Sequence, residues 1–271
     1  MVRKGVTKMW KPGKALNLSV SNRTTIPAEI ADCKGLKVLH LSRTQVSDLT
    51  PLAKLENLKV LDLSRTQVND LTPLKKLTRL ETLSLSCTKV SDLKPLEKLT
   101  RLKMLYISRT QVSDLKPLAK LTRLKVLNLY QTQISDISTL AKLTRLKALS
   151  LSCTKVSDLN PLAKLENLDE LHLLNTKVSD ISTLEKLTRL KVLYISDTKV
   201  SDLNPLAKLE NLEELYLLNT KVSDINTLEN LTRLKVLSLS ETSAAQNPEN
   251  AKIIKKLRDQ GCRILRWKST A

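Results

Sequence analysis

LKVLDLSRTQVNDLTPLKKLTR, residues 58–79, is one of ten consecutive stretches that follow a single 22-residue pattern. If its first leucine is position 1, apolar residues occupy positions 1, 4, 6, 11, 14, 17 and 20, and threonine occupies position 9. The stretches follow one another without insertions, and their first leucines are Leu36, Leu58, Leu80, Leu102, Leu124, Leu146, Leu168, Leu190, Leu212 and Leu234. A fixed period of this length indicates a solenoid, because each repeat can bury its apolar side only by stacking on its neighbours.

The apolar spacing changes halfway through each repeat. Positions 4 and 6 alternate, which predicts a short strand with one face in the core. Positions 11, 14, 17 and 20 recur every three residues, which predicts a tight turn or a 3₁₀ helix with one buried stripe. Position 13 is aspartate in nine repeats, at the point where the helical half begins. We expect this carboxylate to accept hydrogen bonds from unpaired backbone N–H groups at the helix start.

The pattern resembles the leucine-rich repeat family, LxxLxLxxNxIxxIxxLxxL, over residues 36–242. Its uniform unit and its DLxPL segment (DIxTL in three repeats) are similar to those of bacterial internalins and of the leucine-rich regulatory subunit of protein phosphatase 1. The resemblance implies an α/β solenoid, a curved right-handed coil with a parallel concave β-sheet and convex 3₁₀ or short α-helices, capped at both ends. It also implies that protein partners bind to the concave face.

Position 9 departs from the family, because it is threonine rather than asparagine in all ten repeats. An asparagine side chain both donates and accepts hydrogen bonds, whereas a hydroxyl has one proton to donate. We expect a ladder of threonines to replace the ladder of asparagines.

The repeats divide the chain into three predicted parts: an N-terminal cap with a degenerate first repeat (1–35), ten repeats (36–242) and a C-terminal helix–strand cap (243–271). In the first part, Leu16 and Leu18 fit positions 4 and 6 of a repeat that is one residue longer than the others. We expect Trp10 to cover this end, because a solenoid exposes an apolar edge unless it is capped.

The C-terminal cap carries the signals of a helix and a strand. Asn247 and Pro248 are typical of a helix start, and Gly261 is typical of a helix end. Residues 262–267 predict a final strand, and we expect Trp267 to shield the last repeat.

Composition restricts the core and the compartment. Aromatic residues make up 2% of the chain and Phe is absent, so the core must consist of Leu, Ile and Val. The four cysteines show no CxxC spacing, which favours a reducing compartment over a disulfide framework. We find no apolar run of membrane-spanning length and no secretory signal. We therefore expect a cytoplasmic protein, or an effector that is delivered by another route.

The resemblance assigns the side chains at positions 2, 3, 5, 7 and 8 to the concave surface of the sheet, which we call the sheet face. Every Tyr and His of the chain falls on position 5 or position 7. Because Tyr offers a large contact area with a polar group at low entropic cost, we predict a protein-binding site here. The candidate residues are His40, Arg43, Asp62, Arg65, Tyr106, Arg109, Asn128, Tyr130, His172, Tyr194, Asp197 and Tyr216. In the alternative interpretation, neighbouring tyrosines only stack along the sheet.

Charge on the sheet face changes sign along the chain. The first six repeats carry eight bases and two acids there, whereas the last four carry two bases and six acids. Such a bipolar surface would orient a partner of opposite polarity. Drift after duplication explains the same pattern, because repeats seven and nine are near copies.

A second charged feature lies on the helical halves. Position 19 is Lys in eight repeats and position 22 is Arg in six, in a chain with a net charge of +19. This Lys/Arg ladder suggests an alternative function, the binding of nucleic acid or another polyanion. Single-stranded sites usually combine bases with stacking aromatics, and this ladder contains none.

We expect no catalysis, no metal site and no cofactor. Catalytic groups must converge, usually on loops, and the repeats have no insertions to carry them. In such a sheet His40 and His172, which are six repeats apart, are separated by roughly 29 Å. The sequence therefore predicts a monomeric, non-enzymatic interaction protein, with a passive scaffold as a third interpretation.

Overall fold

A computed structural model describes residues 15–265 of the chain. Trp10 and Trp267, which we expected to cover the two ends, lie outside the described residues. By its internal contacts the chain divides into two units, an N-terminal unit that ends at Gln133 and a C-terminal unit that begins at Ile134.

The N-terminal unit contains six parallel strands in chain order within its described residues. These strands are β1 (Ala15–Asn17), β2 (Val38–His40), β3 (Val60–Asp62), β4 (Thr82–Ser84), β5 (Met104–Tyr106) and β6 (Val126–Asn128). One short 3₁₀ helix follows each of the first five strands: Ala28–Asp32, Thr50–Leu52, Thr72–Leu74, Lys94–Leu96 and Lys116–Lys120. The strands pair with a shift of one repeat, so that Leu39 is opposite Leu61 and Leu61 is opposite Leu83.

The C-terminal unit repeats this arrangement. Its strands are β7 (Ala148–Ser150), β8 (Glu170–His172), β9 (Val192–Tyr194), β10 (Glu214–Tyr216), β11 (Val236–Ser238) and β12 (Arg263–Leu265). Its 3₁₀ helices are Ser138–Lys142, Asn160–Lys164, Ser182–Lys186, Asn204–Leu206, Asn226–Asn230, Ser243–Ala245 and Pro248–Asn250. The one α-helix of the described chain, α1 (Ala251–Asp259), precedes β12.

The core of each unit consists of the repeated apolar positions. Positions 1, 4 and 6 are buried in all ten repeats, and positions 11, 14, 17 and 20 are buried in the first nine. Burying one leucine side chain contributes about 2 kcal/mol. The predicted solenoid is therefore confirmed. Among residues 15–265, no helix has the length and apolar character that crossing a membrane requires.

The predicted aspartate caps are also confirmed. In nine repeats the carboxylate at position 13 accepts a hydrogen bond from the backbone N–H two residues later, at 2.7–2.9 Å. The nine residues are Asp48, Asp70, Asp92, Asp114, Asp136, Asp158, Asp180, Asp202 and Asp224. Hydrogen bonds from the residue two positions later lower the pKa of Asp48, Asp70 and Asp180.

The threonines at position 9 do not form the ladder between repeats that we expected. Each hydroxyl donates to the carbonyl at position 6 of its own repeat, as Thr66 does to Leu63 at 2.6 Å. The link between repeats is made by the backbone instead, where the N–H of Gln67 donates to the carbonyl of Val46 at 2.9 Å. A short hydroxyl side chain with one proton satisfies the nearest carbonyl and leaves this contact between repeats to the main chain.

Position 8 has a left-handed backbone in all ten repeats, with φ between 51° and 59°. Its residues are Arg43, Arg65, Cys87, Arg109, Gln131, Cys153, Asn175, Asp197, Asn219 and Glu241. A residue with a Cβ atom loses about 1 kcal/mol in this conformation. The turn aims the N–H of position 8 at the carbonyl of position 7 in the next repeat, as from Arg65 to Ser86 at 2.8 Å. Such a bond helps to offset the loss in eight of the repeats.

Side chains also link neighbouring repeats where threonine replaces proline at position 16. Thr183 donates to the side-chain oxygen of Asn160 at 3.2 Å, and Thr227 donates to that of Asn204 at 3.0 Å. In both cases the asparagine belongs to the preceding repeat, so these two bonds join repeats six and seven and repeats eight and nine.

The residues before the first repeat follow the same backbone plan. Leu16 is opposite Leu39, which places it at position 4 with a spacing of 23 residues rather than 22. Val20, four residues later, has φ 55° like the residues at position 8. Residues 16–20 therefore continue the strand and turn of the repeats.

At the C-terminal end, one buried asparagine connects the cap to the last repeats. Asn250 is 1% exposed, and its amide donates to the carbonyls of Ser223 (2.9 Å) and Ala244 (3.1 Å). Its oxygen accepts from the N–H of Ile225 at 3.3 Å. The sequence does not indicate this role, because an asparagine beside a helix start is usually an exposed cap.

We predict that Asn250→Ala lowers the free energy of unfolding of the C-terminal unit by about 2–3 kcal/mol, because it leaves the buried N–H of Ile225 and the buried carbonyl of Ala244 without a partner. Urea denaturation followed by circular dichroism measures the change. Asn230→Ala is the control, since Asn230 is exposed at a helix end in the same unit. Equal losses for the two variants would contradict the assignment.

Acid should weaken the aspartate caps. The folded-state pKa of Asp70 lies below its ordinary value, so its contribution to stability is complete above about pH 4 and is lost as the pH falls through the folded pKa. Serine at this position retains an acceptor but does not titrate. We therefore expect the urea midpoint of Asp70→Ser to fall less than that of the wild type between pH 7 and pH 3. The control is Asp259→Ser, at the exposed end of α1, and its urea midpoint should fall by the same amount as that of the wild type.

Candidate functional site

Alternation along the strands places the predicted site residues. Positions 4 and 6 are buried, while positions 3 and 5 point to the opposite side of the sheet. All four tyrosines and both histidines are half-buried on the sheet face, and none lies in the core. These aromatic side chains therefore contact solvent along one edge.

Six of the predicted residues line one depression in the N-terminal unit. They are His40, Asp62, Arg65, Tyr106, Arg109 and Tyr130. Four serines, Ser64, Ser84, Ser86 and Ser108, form part of its wall. The depression has a volume of about 610 Å³, within the usual range for ligand pockets.

The two arginines of this depression differ in their contacts with other side chains. The guanidinium carbon of Arg109 lies 5.5 Å from the centre of the Tyr130 ring, which is a cation–π contact. Arg65 forms no ion pair with an acidic side chain within residues 15–265, and it is exposed. One arginine is therefore held in position, whereas the other is free to bond an incoming group.

Both acids on this part of the sheet face are already bonded. Asp62 accepts from the backbone and hydroxyl of Ser64 at 2.9 and 2.6 Å, and its other oxygen lies 3.9 Å from Nδ1 of His40. Glu81 is flanked by Lys103 at 2.5 Å and Lys59 at 3.3 Å, and these two ammonium groups lower its pKa. The basic side chains therefore dominate what this surface offers to a partner.

Two further predicted residues of the N-terminal unit do not line the depression. Arg43 is exposed at position 8 of the first repeat. Asn128 uses its side-chain oxygen to accept the backbone N–H of Tyr130 at 2.9 Å, which orders the end of β6.

In the C-terminal unit three predicted residues form an aromatic stack. The rings of His172 and Tyr194 are 4.6 Å apart and inclined by 25°, and those of Tyr194 and Tyr216 are 4.0 Å apart and inclined by 6°. Each ring stands at position 5 of successive strands, so the spacing of the sheet brings them into contact. The stacking that we considered as an alternative interpretation is therefore present, and it leaves the ring edges exposed.

The side chains of His172 and Tyr216 are neutral near pH 7. Hydrogen bonding with Tyr194, burial and the bond to Glu214 raise the pKa of the Tyr216 phenol, which donates to that carboxylate at 2.8 Å. Burial lowers the pKa of His172, and the nearby Glu170 opposes this effect only in part. His172 and Tyr216 therefore present uncharged aromatic rings beside the carboxylates of Glu170 and Glu214.

Glu170 and Glu214 were not among the predicted site residues. They occupy position 3, which is apolar in seven repeats and glutamate only in repeats seven and nine, so this column was a usable signal. Asp197, which was predicted, accepts a hydrogen bond from Asn219 at 2.8 Å rather than contacting the stack.

The described residues carry no cluster of three His, Cys, Asp or Glu side chains that could hold a metal ion. The four cysteines are free thiols, and burial raises the pKa of Cys33 and Cys262. The sheet face offers hydrogen-bonding groups, charged groups and aromatic rings.

We predict a coupling energy of about 1 kcal/mol between Tyr194 and Tyr216 in a double-mutant cycle with alanine, because stacked rings stabilise each other beyond their buried area. Urea denaturation of the two single variants and the double variant gives the value. The cycle for His172 and Tyr216, which are two strands apart, should give a coupling energy near zero. A coupling near zero in the first cycle would show that the stack does not form in solution.

Comparison with solved structures supports the same architecture. The chain is similar to internalin InlF of Listeria monocytogenes, with 28% identity and a TM-score of 0.85 over 94% of this chain and 81% of the internalin. It is similar to internalin C2 of the same organism, with 36% identity and a TM-score of 0.62 over 66% of this chain and 80% of that one. For the leucine-rich repeat protein LIC12759 of Leptospira interrogans the identity is 25% and the TM-score 0.81, over 93% and 71% of the two chains.

Sequence comparison identifies the family. No curated protein sequence matches the chain. The family described as a leucine-rich repeat region matches residues 105–264, more than half of the chain. Pairs of leucine-rich repeats match residues 34–76, 56–98 and 78–120. The repeats, the parallel sheet and these matches agree, and the chain belongs to the leucine-rich repeat family.

Proposed function

We propose that the protein is a non-enzymatic interaction module that binds a protein partner through the sheet face. Its leucine-rich repeat relatives indicate a protein–protein interaction module. The single observation that carries the proposal is the location of the aromatic side chains, since every Tyr and His of the sequence stands half-exposed on the sheet face. The buried columns need none of these side chains, so packing alone does not account for their position.

The proposed contact residues form two groups, one in each unit. The first consists of His40, Arg43, Asp62, Arg65, Tyr106, Arg109, Asn128 and Tyr130. The second consists of His172, Tyr194, Asp197 and Tyr216. Tyrosine and arginine are the residue types that most often dominate binding energy at protein interfaces, because they combine large area with hydrogen-bonding groups.

Each unit would offer a partner a different charge. In repeats one to four the sheet face carries six bases and two acids, and both acids are already bonded. In repeats seven to nine it carries five acids and one base. Opposite charges on the partner would speed its approach and select its orientation.

The alternative function, polyanion binding through the Lys/Arg ladder, receives less support. The ladder residues are exposed, as that reading requires. However, a cavity of about 650 Å³ beside the ladder in the N-terminal unit combines bases with acids. Its charged lining residues are Lys75, Lys76, Lys94, Lys98, Glu56, Asp92 and Glu97. The acids would repel phosphates at this place.

We also propose that the protein acts as a monomer. The cytoplasmic location and delivery as an effector stay predictions from the sequence.

The proposal is tested with a variant in which Tyr106, Tyr194 and Tyr216 are serine, the residue that three other repeats carry at position 5. We expect proteins captured by the wild type from a cell extract to be lost or weakened at least about tenfold with the variant, because aromatic anchors carry a large part of interface energy. Purified candidates are then titrated directly, and circular dichroism verifies that the variant is folded.

The matched control replaces Lys120, Lys142 and Lys164 of the ladder by Ala. It should bind the partner like the wild type. If the lysine variant loses the partner while the serine variant keeps it, the sheet face is not the binding surface. Tight, salt-dependent binding of duplex DNA by wild type and not by the lysine variant would favour the alternative function.

A further inference from the structure

The depression in the N-terminal unit has the chemistry of an anion receptor, and this observation extends the proposed function. It is about 610 Å³ in volume and is built entirely from the sheet face of one unit. Its lining combines two guanidinium groups, four serines and two phenol rings. A groove of this size accommodates several side chains of an extended segment.

The arginines are placed to hold two separate acidic groups. Arg65 and Arg109 occupy position 8 of repeats two and four, where the left-handed backbone, with φ 57° and 55°, directs each side chain from the end of its strand. The strands are two apart in the sheet, so the two backbones are separated by about 10 Å. Carboxylates about three residues apart on an extended chain span the same distance.

Neither guanidinium forms an ion pair with an acidic side chain of the described residues. Arg109 lies against the Tyr130 ring, and hydrogen bonding with the uncharged side chains of Tyr130 and Cys87 raises its pKa. These contacts orient the guanidinium, whose five N–H donors leave others for a ligand. The acid that lines the depression, Asp62, is occupied by the N–H and hydroxyl of Ser64. The nearby Glu81 is occupied by Lys59 and Lys103. An acidic ligand would therefore meet two guanidinium groups against the single carboxylate of Asp62, one oxygen of which already accepts two hydrogen bonds.

The rest of the lining favours a protein segment over a simple ion. The rings of Tyr106 and Tyr130 offer apolar area at the side of the depression that carries Arg109, and Ser84 offers a hydroxyl that bonds no other group among the described residues. Such surfaces are matched by a chain with both acidic and apolar side chains. A bare phosphate would leave the apolar area of the rings without a partner.

We propose that this depression binds an acidic, extended segment of a protein partner, with Arg65 and Arg109 pairing its carboxylates and Tyr106 and Tyr130 contacting its apolar side chains. The inference rests on the proposed function and names the class of partner that the N-terminal unit recognises.

The test measures the affinity of the whole chain for a fluorescein-labelled peptide of 12 residues that contains four Glu residues spaced by Leu and Ser. The counterpart peptide has Gln in place of Glu. Fluorescence anisotropy at 50 and 200 mM NaCl should show binding of the Glu peptide that weakens with salt, and at least about tenfold weaker binding of the Gln peptide. Equal affinity for both peptides would overturn the proposal.

A net charge of +19 attracts any acidic peptide, so the variants must separate site from background. Arg65→Gln/Arg109→Gln should weaken the Glu peptide at least about tenfold. Arg101→Gln/Arg123→Gln removes the same charge from exposed ladder positions in the same unit and should change the affinity less than about twofold. Equal losses in the two double variants would show non-specific attraction and overturn the proposal.

Two other occupants are distinguished in the same series. If a single-stranded oligonucleotide displaces the Glu peptide and its own binding depends on Arg101 and Arg123, the peptide was held by the ladder and the proposal is wrong. If sedimentation shows self-association that Arg65→Gln/Arg109→Gln abolishes, the occupant is a second copy of this chain, and the proposal is again wrong.

The outcome is separable from that of the proposed function. Failure of the Glu peptide, with partner capture still dependent on the sheet-face tyrosines, would overturn this inference and leave the proposed function in place. If partner capture does not depend on those tyrosines either, both proposals are overturned.

Discussion

Stacking of identical apolar columns is the interaction on which the rest of this structure depends. A single repeat contributes a strand of three residues and a short 3₁₀ helix, and neither element can bury its leucines alone. The leucines become buried only when the equivalent leucines of the next repeat lie directly beside them. This requirement favours a constant length of 22 residues within the ten repeats. The connection before β2 accommodates one extra residue, and Leu16 is still opposite Leu39.

The same constraint frees the sheet face. Because positions 4 and 6 already bind the strand to the core, positions 3 and 5 can change without disturbing the packing, and they carry Val, Glu, Ser, Asn, Asp, His or Tyr in different repeats. Stacking nevertheless acts on these side chains, because it fixes the distance between neighbouring columns. His172, Tyr194 and Tyr216 touch for this reason, and the separation of Arg65 and Arg109 is likewise set by the sheet.

Most of the fold could be predicted from the sequence because its signals are repeated ten times. The alternation at positions 4 and 6, the three-residue spacing after them and the aspartate at position 13 each have a direct structural meaning, and all three are observed. The left-handed turn at position 8 could not be predicted, since Arg, Cys, Gln and Glu do not favour positive φ and only the stack imposes it. The threonine bonds were misjudged because the family's asparagine suggested a link between repeats, whereas a hydroxyl reaches only its own. For the site, the sequence identified which side chains share a face, but not that Asp62 is occupied while Arg65 is free, because such pairings depend on distances between strands.

The bonds from Thr183 to Asn160 and from Thr227 to Asn204 give the C-terminal unit a period that is longer than one repeat. Asn-Pro and a threonine without proline alternate at positions 15 and 16 there, so that the Thr–Asn bond forms between repeats six and seven and between repeats eight and nine, whereas other side-chain contacts join repeats seven and eight. A pair of repeats, 44 residues in all, is thus the smallest module that can be copied or deleted while both kinds of junction are preserved. Growth or shortening of this part of the protein by whole pairs would keep every Thr–Asn hydrogen bond, whereas the gain of a single repeat would leave one threonine or asparagine without its partner in the neighbouring repeat.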